Sequence, residues 1–138
     1  MKVLCVCLGN ICRSPTAEAA LRARAPEWEV DSAGTGDWHV GDPPYPPMIA
    51  AAGRAGLDLT ALRARQVSAE DFHRFDLILA LDAQNRADLE ALRPGGARAR
   101  LEMFADRDVP DPYHTRDFDG AVAIIAAAAD RLVARERG

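Results

Sequence analysis

The 138 residues carry 17 basic and 21 acidic side chains, a formal charge of -4, and 49% apolar residues. That profile describes one soluble globular domain, 1–138, with a core of its own, and it gives no general reason to expect nucleic acid or an anionic membrane as partner. All three cysteines fall between positions 5 and 12, too close together for a disulfide framework, so the thiols are expected to be reduced and the chain cytoplasmic.

The opening "MKVLCVCL" lacks the length and flanks of a signal peptide, and no stretch approaches a membrane span. Residues 2–7, "KVLCVC", form a nearly continuous apolar run that suits a strand buried on both faces. "PTAEAALRAR", from Pro15 to about Arg24, is rich in helix formers behind an early proline. Residues 29–33 read as a second strand, and the glycines and prolines of "AGTGDWHVGDPPYPP" announce a long loop. A helix is expected over 47–56, closed by Gly56. Ser68 and Asp71 have the form of a capping box opening the short helix "SAEDFHRF". "DLILAL", 76–81, reads as another buried strand, followed by the helix "AQNRADLEAL" with Asp82 placed to cap it. "ARLEMF", 99–104, reads as the last strand, and 118–136 as a long amphipathic helix after a proline-punctuated loop. Strands alternating with helices predict an α/β fold, a four-stranded parallel sheet in a single three-layer domain with helices on both faces. Ligands in such folds bind beyond the carboxyl ends of the strands, which directs attention to the end of the first strand, Cys7.

Five residues, "LGNIC", separate Cys7 from Arg13, with Ser14 and Pro15 next. A loop this short between strand and helix must turn sharply, and Gly9 and Asn10 are best able to take unusual backbone angles. Such a loop aims successive N–H groups at one point, backed by the positive end of the helix. Arg13 adds a planar fork of donors suited to phosphate oxygens. The same amides, dipole and guanidinium stabilise a thiolate at that point, so Cys7 reads as a nucleophile facing an anion cradle.

Cys7-Leu-Gly-Asn-Ile-Cys-Arg13-Ser14-Pro15 resembles the signature loop of the low-molecular-weight protein tyrosine phosphatases. The likeness continues through "DSAGTGDWHVGDPP" (31–44) and "DLILALD" (76–82) to "VPDPY" (109–113), covering the chain in the family's order. The resemblance implies hydrolysis of phosphotyrosine through a phosphocysteine on Cys7. Arg13 and the loop residues Leu8, Gly9, Asn10, Ile11 and Cys12 would hold the phosphoryl oxygens, and Asp111 would serve as proton donor and later activate water. It implies that Asn10 and Ser14 support the loop and the thiolate, with helix capping an alternative for Ser14. Trp38 and Tyr113 would wall the cleft, where ordinary packing is the alternative. It implies a reversible Cys7–Cys12 disulfide under oxidation, while Cys5 reads as a buried strand residue. Where many members have a second tyrosine, this chain has His114.

No cofactor or metal is expected: His39, His73 and His114 raise the question of a zinc cluster, but Cys5, Cys7 and Cys12 contain no C-x2-C pair and Cys5 sits in the middle of a strand pattern. Gly34, Gly36 and Gly41 miss the dinucleotide fingerprint by two residues. The expected partners are a phosphotyrosine protein as substrate and inorganic phosphate as product and inhibitor, with no nucleic acid or membrane and a monomer or weak dimer as the working unit. Three other readings share the loop or the fold. An arsenate reductase would need cysteines beyond Cys12, and there are none. A protein-arginine phosphatase typically has threonine where this chain has Ile11. A non-catalytic phospho-ligand module would not need all three of Cys7, Arg13 and Asp111.

Overall fold

The computed structural model describes Met1–Gly138. Four strands, β1 (Lys2–Cys7), β2 (Glu29–Gly34), β3 (Leu77–Ala80) and β4 (Arg100–Met103), form one sheet in the order β2-β1-β3-β4. Every pairing is parallel, with Val3 opposite both Val30 and Leu77, and Leu77 opposite Arg100. The helices are α1 (Arg13–Arg24), α2 (Pro46–Arg54), α3 (Asp71–Arg74), α4 (Ala83–Leu92), α5 (Pro112–Thr115) and α6 (Phe118–Arg137). None of them is long and apolar enough to cross a membrane.

The alternation of side chains along a strand divides the core in two. Val3, Cys5 and Cys7 of β1, with Leu77 and Leu79 of β3, pack against Ala17 and Leu21 of α1, Met48 of α2 and Ile125 of α6. Leu4 and Val6, with Ile78 and Ala80, face the other way onto Phe72 of α3 and Leu89 of α4. Both central strands are therefore covered on both sides, which is why they read as unbroken apolar runs. Truncating a side chain such as Leu4 or Leu79 to alanine would cost about 2–5 kcal/mol.

The expected elements are present, with shifts that have local causes. α1 begins two residues ahead of Pro15, because a first-turn proline gives up no intrahelical hydrogen bond. The helix expected over 68–75 is confined to Asp71–Arg74. Half of its capping box forms, the Ser68 N–H donating to Asp71 Oδ2 at 2.9 Å, but the same carboxylate also holds Arg65 at 3.1 Å. The helix expected over 47–56 runs from Pro46 to Arg54, with Gly56 at φ 82° just beyond it. α5, Pro112–Thr115, is not among the expected elements. Asp111 caps it by accepting from the Tyr113 N–H, and Pro112 occupies its first position.

Strand order places the change of direction between β1 and β3. The loop after Cys7 and Asp82, two residues beyond the end of β3, therefore meet at the carboxyl edge of the sheet, where a parallel sheet opens a crevice.

Candidate active site

β1 ends at Cys7, and the chain turns into α1 within five residues. Asn10 makes the turn in the left-handed region at φ 57°. Asparagine tolerates this conformation better than most residues. Gly9 does not share it, so its contribution is space: a Cβ there would lie 3.2 Å from the ring of His39. Gly34, at the end of β2, serves the loop in a similar way, since a Cβ would stand 2.7 Å from the Leu8 carbonyl.

The Asn10 N–H points at Cys7 Sγ, 3.3 Å away. The N–H groups of Gly9, Ile11 and Cys12 donate to no acceptor within the protein. Loop amides without partners beside the N-terminus of a twelve-residue helix form an anion cradle, with the cysteine sulfur at its floor. Cys7 is buried apart from this opening.

Behind the sulfur lies a chain of polar side chains. Ser14 Oγ sits 3.0 Å from Cys7 Sγ, and Asn10 Nδ2 donates to Ser14 Oγ at 2.8 Å and to Ser32 Oγ at 3.0 Å. Ser32 in turn donates to Glu18 Oε1 at 2.6 Å, and Glu18 is paired with Arg22 at 2.7 Å. Asn10 Oδ1 accepts the Arg65 N–H at 3.0 Å, which fixes which end of the amide faces the serines. Ser14 lies inside α1, not at its cap, and its hydroxyl can turn between the sulfur and the Ala33 carbonyl at 3.3 Å. Burial holds the Glu18 carboxyl above its ordinary value, against the bonds from Ser32 and Arg22 that favour its charge.

Arg13 is 3% exposed. Its Nη1 donates to Asp82 at 2.6 Å and to the Val109 carbonyl at 3.0 Å, and its Nη2 lies 3.6 Å from Asp111 Oδ2. Burial works against its charge, but Cys7, Asp82 and Asp111 together outweigh that and hold the guanidinium above its usual range. Burial, with help from Cys7 and Asp111, pushes the Cys12 thiol up to about 12. Cys5 is buried within the sheet and is also held well above its usual range, chiefly by desolvation.

These residues open onto a cleft of about 280 Å³, lined by Cys7, Leu8, Gly9, Ile11, Cys12, Arg13, Trp38, His39, Asp111, Tyr113 and His114. Nine of the eleven residues expected at the site line this cleft, while Asn10 and Ser14 stand behind the sulfur as its supports. Trp38, 70% exposed, and Tyr113 form its outer walls.

Sequence reasoning did not assign Asp82 to the site beyond capping α4, nor Ser32 and Glu18 to the polar chain. The position of Asp82, just beyond the carboxyl end of the strand adjacent to β1, is the available signal. Ser32 and Glu18 sit on separate elements and are joined only by tertiary packing, which no spacing rule reports. No three His, Cys, Asp or Glu side chains converge in an arrangement that could hold a metal ion.

The arrangement offers a sulfur nucleophile, donors for three equatorial oxygens, and a carboxyl at the mouth for a leaving oxygen. Residues 2–136 match the family model described as low molecular weight phosphotyrosine protein phosphatase. The low molecular weight protein-tyrosine-phosphatase YfkJ of Bacillus subtilis is 37% identical, over 97% of this chain and 94% of its own. Its crystal structure superposes with a TM-score of 0.92, covering 99% of this chain and 94% of that one. The crystal structure of a Drosophila arginine phosphatase also superposes with a TM-score of 0.92, at 32% identity, covering 100% and 99% of the two chains.

Proposed function

The chain belongs to the low-molecular-weight phosphotyrosine protein phosphatase family and is a protein-tyrosine phosphatase, and on that premise we propose that it works through a phosphocysteine formed on Cys7. The observation that carries this reading is the convergence of Cys7, Arg13 and Asp111 on one cleft. The Cys7 thiolate attacks phosphorus while the loop amides and Arg13 hold the equatorial oxygens. The bond to the tyrosyl oxygen breaks, and the departing phenolate takes its proton from the Asp111 carboxyl. The carboxylate so formed then takes a proton from water as that water attacks phosphocysteine, releasing inorganic phosphate and returning the thiolate. Leu8, Ile11 and Cys12 shape the inner cleft, and Trp38 and Tyr113 flank the aromatic ring of the substrate. Inorganic phosphate, bound in the same cradle, is the expected product inhibitor. The enzyme works as a monomer or weak dimer in the cytoplasm, where its thiols remain reduced.

The likeness to an arginine phosphatase gives one second reading, hydrolysis of phosphoarginine by the same machinery. Ile11 favours the tyrosine ester, because its branched apolar side chain lines the cleft where a phosphoguanidinium would need polar partners. Kinetics on matched phosphotyrosine, phosphoserine and phosphoarginine peptides separate these readings. Phosphotyrosine should be turned over preferentially, and Cys7→Ser should abolish all turnover. Preferential hydrolysis of phosphoarginine would overturn the substrate while leaving the chemistry intact, and an active Cys7→Ser variant would overturn the nucleophile.

A further inference from the structure

Arg116 ends α5 at φ 64° and ψ 10°, in the left-handed region where glycine is the usual choice. Among residues other than glycine only Asn10 shares this region, and Asn10 builds the loop beneath Cys7. A disfavoured backbone conformation persists where surrounding contacts over-determine it. In Arg116 those contacts are made by the side chain. Its guanidinium carbon lies 5.5 Å from the centre of the Tyr45 ring and 5.1 Å from that of Phe118. Nη1 donates to the Tyr113 carbonyl and to the Tyr45 hydroxyl, both at 3.3 Å, and Nη2 to the same hydroxyl at 3.4 Å. A glycine here would keep the turn and lose every one of these ties.

Tyr45 is anchored on its other side to the anion loop, its N–H donating to the Ile11 carbonyl at 2.9 Å. At the far end, the Tyr113 N–H donates to Asp111 Oδ1 at 3.1 Å. A continuous path therefore runs from the loop around Cys7, through Tyr45 and Arg116, to the turn that carries the Asp111 carboxyl. Arg13 also holds the Val109 carbonyl, two residues before the acid, but its link to the Asp111 carboxyl itself, at 3.6 Å, depends on the carboxylate charge. That link weakens when Asp111 is protonated, the state in which Asp111 would act as a donor. The tie through Arg116 does not depend on that proton.

We propose that Arg116 is a positioning residue for Asp111, setting the separation between the acid turn and the anion loop by holding 111–116 against Tyr45. This rests on the reading of Asp111 as the proton donor. Separation matters because proton transfer needs a reach of about 2.6–3.2 Å between heavy atoms. An error of about 1 Å can cost up to 10²-fold in rate. Arg116 does not line the cleft and touches no reacting atom.

The test is the dependence of kcat/KM on the leaving group, using phenyl, 4-nitrophenyl and 2,4-dinitrophenyl phosphate. Dinitrophenolate leaves without a proton, whereas phenolate needs one. Arg116→Gly should lower kcat/KM for phenyl phosphate about tenfold, part of the ~10²–10⁴ that a placed acid supplies, and leave dinitrophenyl phosphate within about twofold. Its melting temperature should hold or rise, since glycine relieves the left-handed backbone. Arg116→Lys keeps the charge without the planar fork and should steepen the dependence in the same direction. A uniform loss across the three esters, or an unchanged dependence, in Arg116→Gly overturns the proposal, as does a wild-type dependence in Arg116→Lys, which would assign the effect to charge. Asp111→Asn is the reference. If it steepens the dependence and Arg116→Gly does not, the positioning role alone fails; if Asp111→Asn leaves the dependence unchanged, the assignment of the acid fails.

Discussion

Arg13 Nη1 stands 2.6 Å from Asp82 Oδ2, and Asp82 Oδ1 at the same time accepts the Asn85 N–H at 2.7 Å. One carboxylate thus caps α4 and fixes the guanidinium that closes the anion loop. With Nη1 also on the Val109 carbonyl, Arg13 is held in one orientation before any phosphate arrives. A fork whose direction is already set loses little further freedom on binding a planar set of oxygens.

Substitutions of Asp82 should separate the two duties. Asp82→Asn keeps an oxygen that can cap α4 but removes the charge holding Arg13. Asp82→Ala removes both, and loss of the cap alone costs about 1 kcal/mol. We expect kcat/KM on an aryl phosphate to fall about tenfold or more in both variants, as transition-state charge stabilisation by a misdirected donor is lost. Asp82→Asn should melt within about 4 °C of wild type and Asp82→Ala distinctly lower. Wild-type kcat/KM in Asp82→Asn would show that Arg13 needs no charge at position 82.

Gly36 is the seat of Trp38. A Cβ at Gly36 would fall 2.0 Å from Cζ3 of the indole, so Gly36→Ala must move the ring. Because Trp38 is largely exposed, the ring can move without disturbing the core. The expected outcome is an unchanged melting temperature with KM for 4-nitrophenyl phosphate raised about two- to tenfold, the worth of one aromatic contact of about 0.5–1.5 kcal/mol. KM for a small alkyl phosphate should not change, and a parallel rise there would sink the assignment of Trp38 to the ring of the substrate.

How far the sequence reached depends on whether a feature is local. The strands over β1 and β3 were legible because burial on both faces makes them unbroken apolar runs. The Asp82 cap was legible because it is set by neighbours in sequence, its carboxylate reaching the amide of Asn85 three residues on. The short α5 escaped because the segment before 118 reads as a proline-punctuated loop, although an Asp followed by Pro is also a helix start. The chain Glu18–Ser32–Asn10–Ser14 escaped because its members come from α1, β2 and the loop and meet only when β1 pairs with β2. Arg116 escaped for a different reason: local propensity argues against arginine in a left-handed cap, and only Tyr45 and Phe118 explain it.

The buried Glu18 gives stability a specific pH dependence. Its carboxyl is raised by burial above its ordinary 4.5, so the folded state binds this proton more tightly than the unfolded state. Stability from this group therefore falls as pH rises from about 4.5 through the folded value, and is recovered on acidification. Glu18→Gln removes the titration and keeps the volume. Denaturant midpoints of the two proteins at pH 4.5 and pH 7 should show wild type losing ground to Glu18→Gln as pH rises. Wild type gaining on the variant over that interval would reverse the sign and exclude a desolvated carboxyl.

Cys12 shares the loop with the proposed nucleophile, yet its thiol, pushed up to about 12, is almost wholly protonated at neutral pH. If it captures oxidised Cys7, the Cys12 thiol first gives up its proton and its thiolate attacks the sulfenic sulfur. The S–O bond breaks as the S–S bond forms, and the departing hydroxide takes a proton from solvent to leave as water. The supply of thiolate then limits the rate, which should rise about tenfold per pH unit between pH 7 and 9. The measurement is to oxidise Cys7 with one equivalent of peroxide, jump the pH, block free thiols at intervals and follow the Cys7–Cys12 species by mass. Iodoacetamide at pH 7 should correspondingly spare Cys12 and the buried Cys5 in the reduced protein. A capture rate independent of pH would mean that Cys12 is activated by a partner the fold does not provide, and no disulfide even at pH 9 would remove it as a guardian of Cys7.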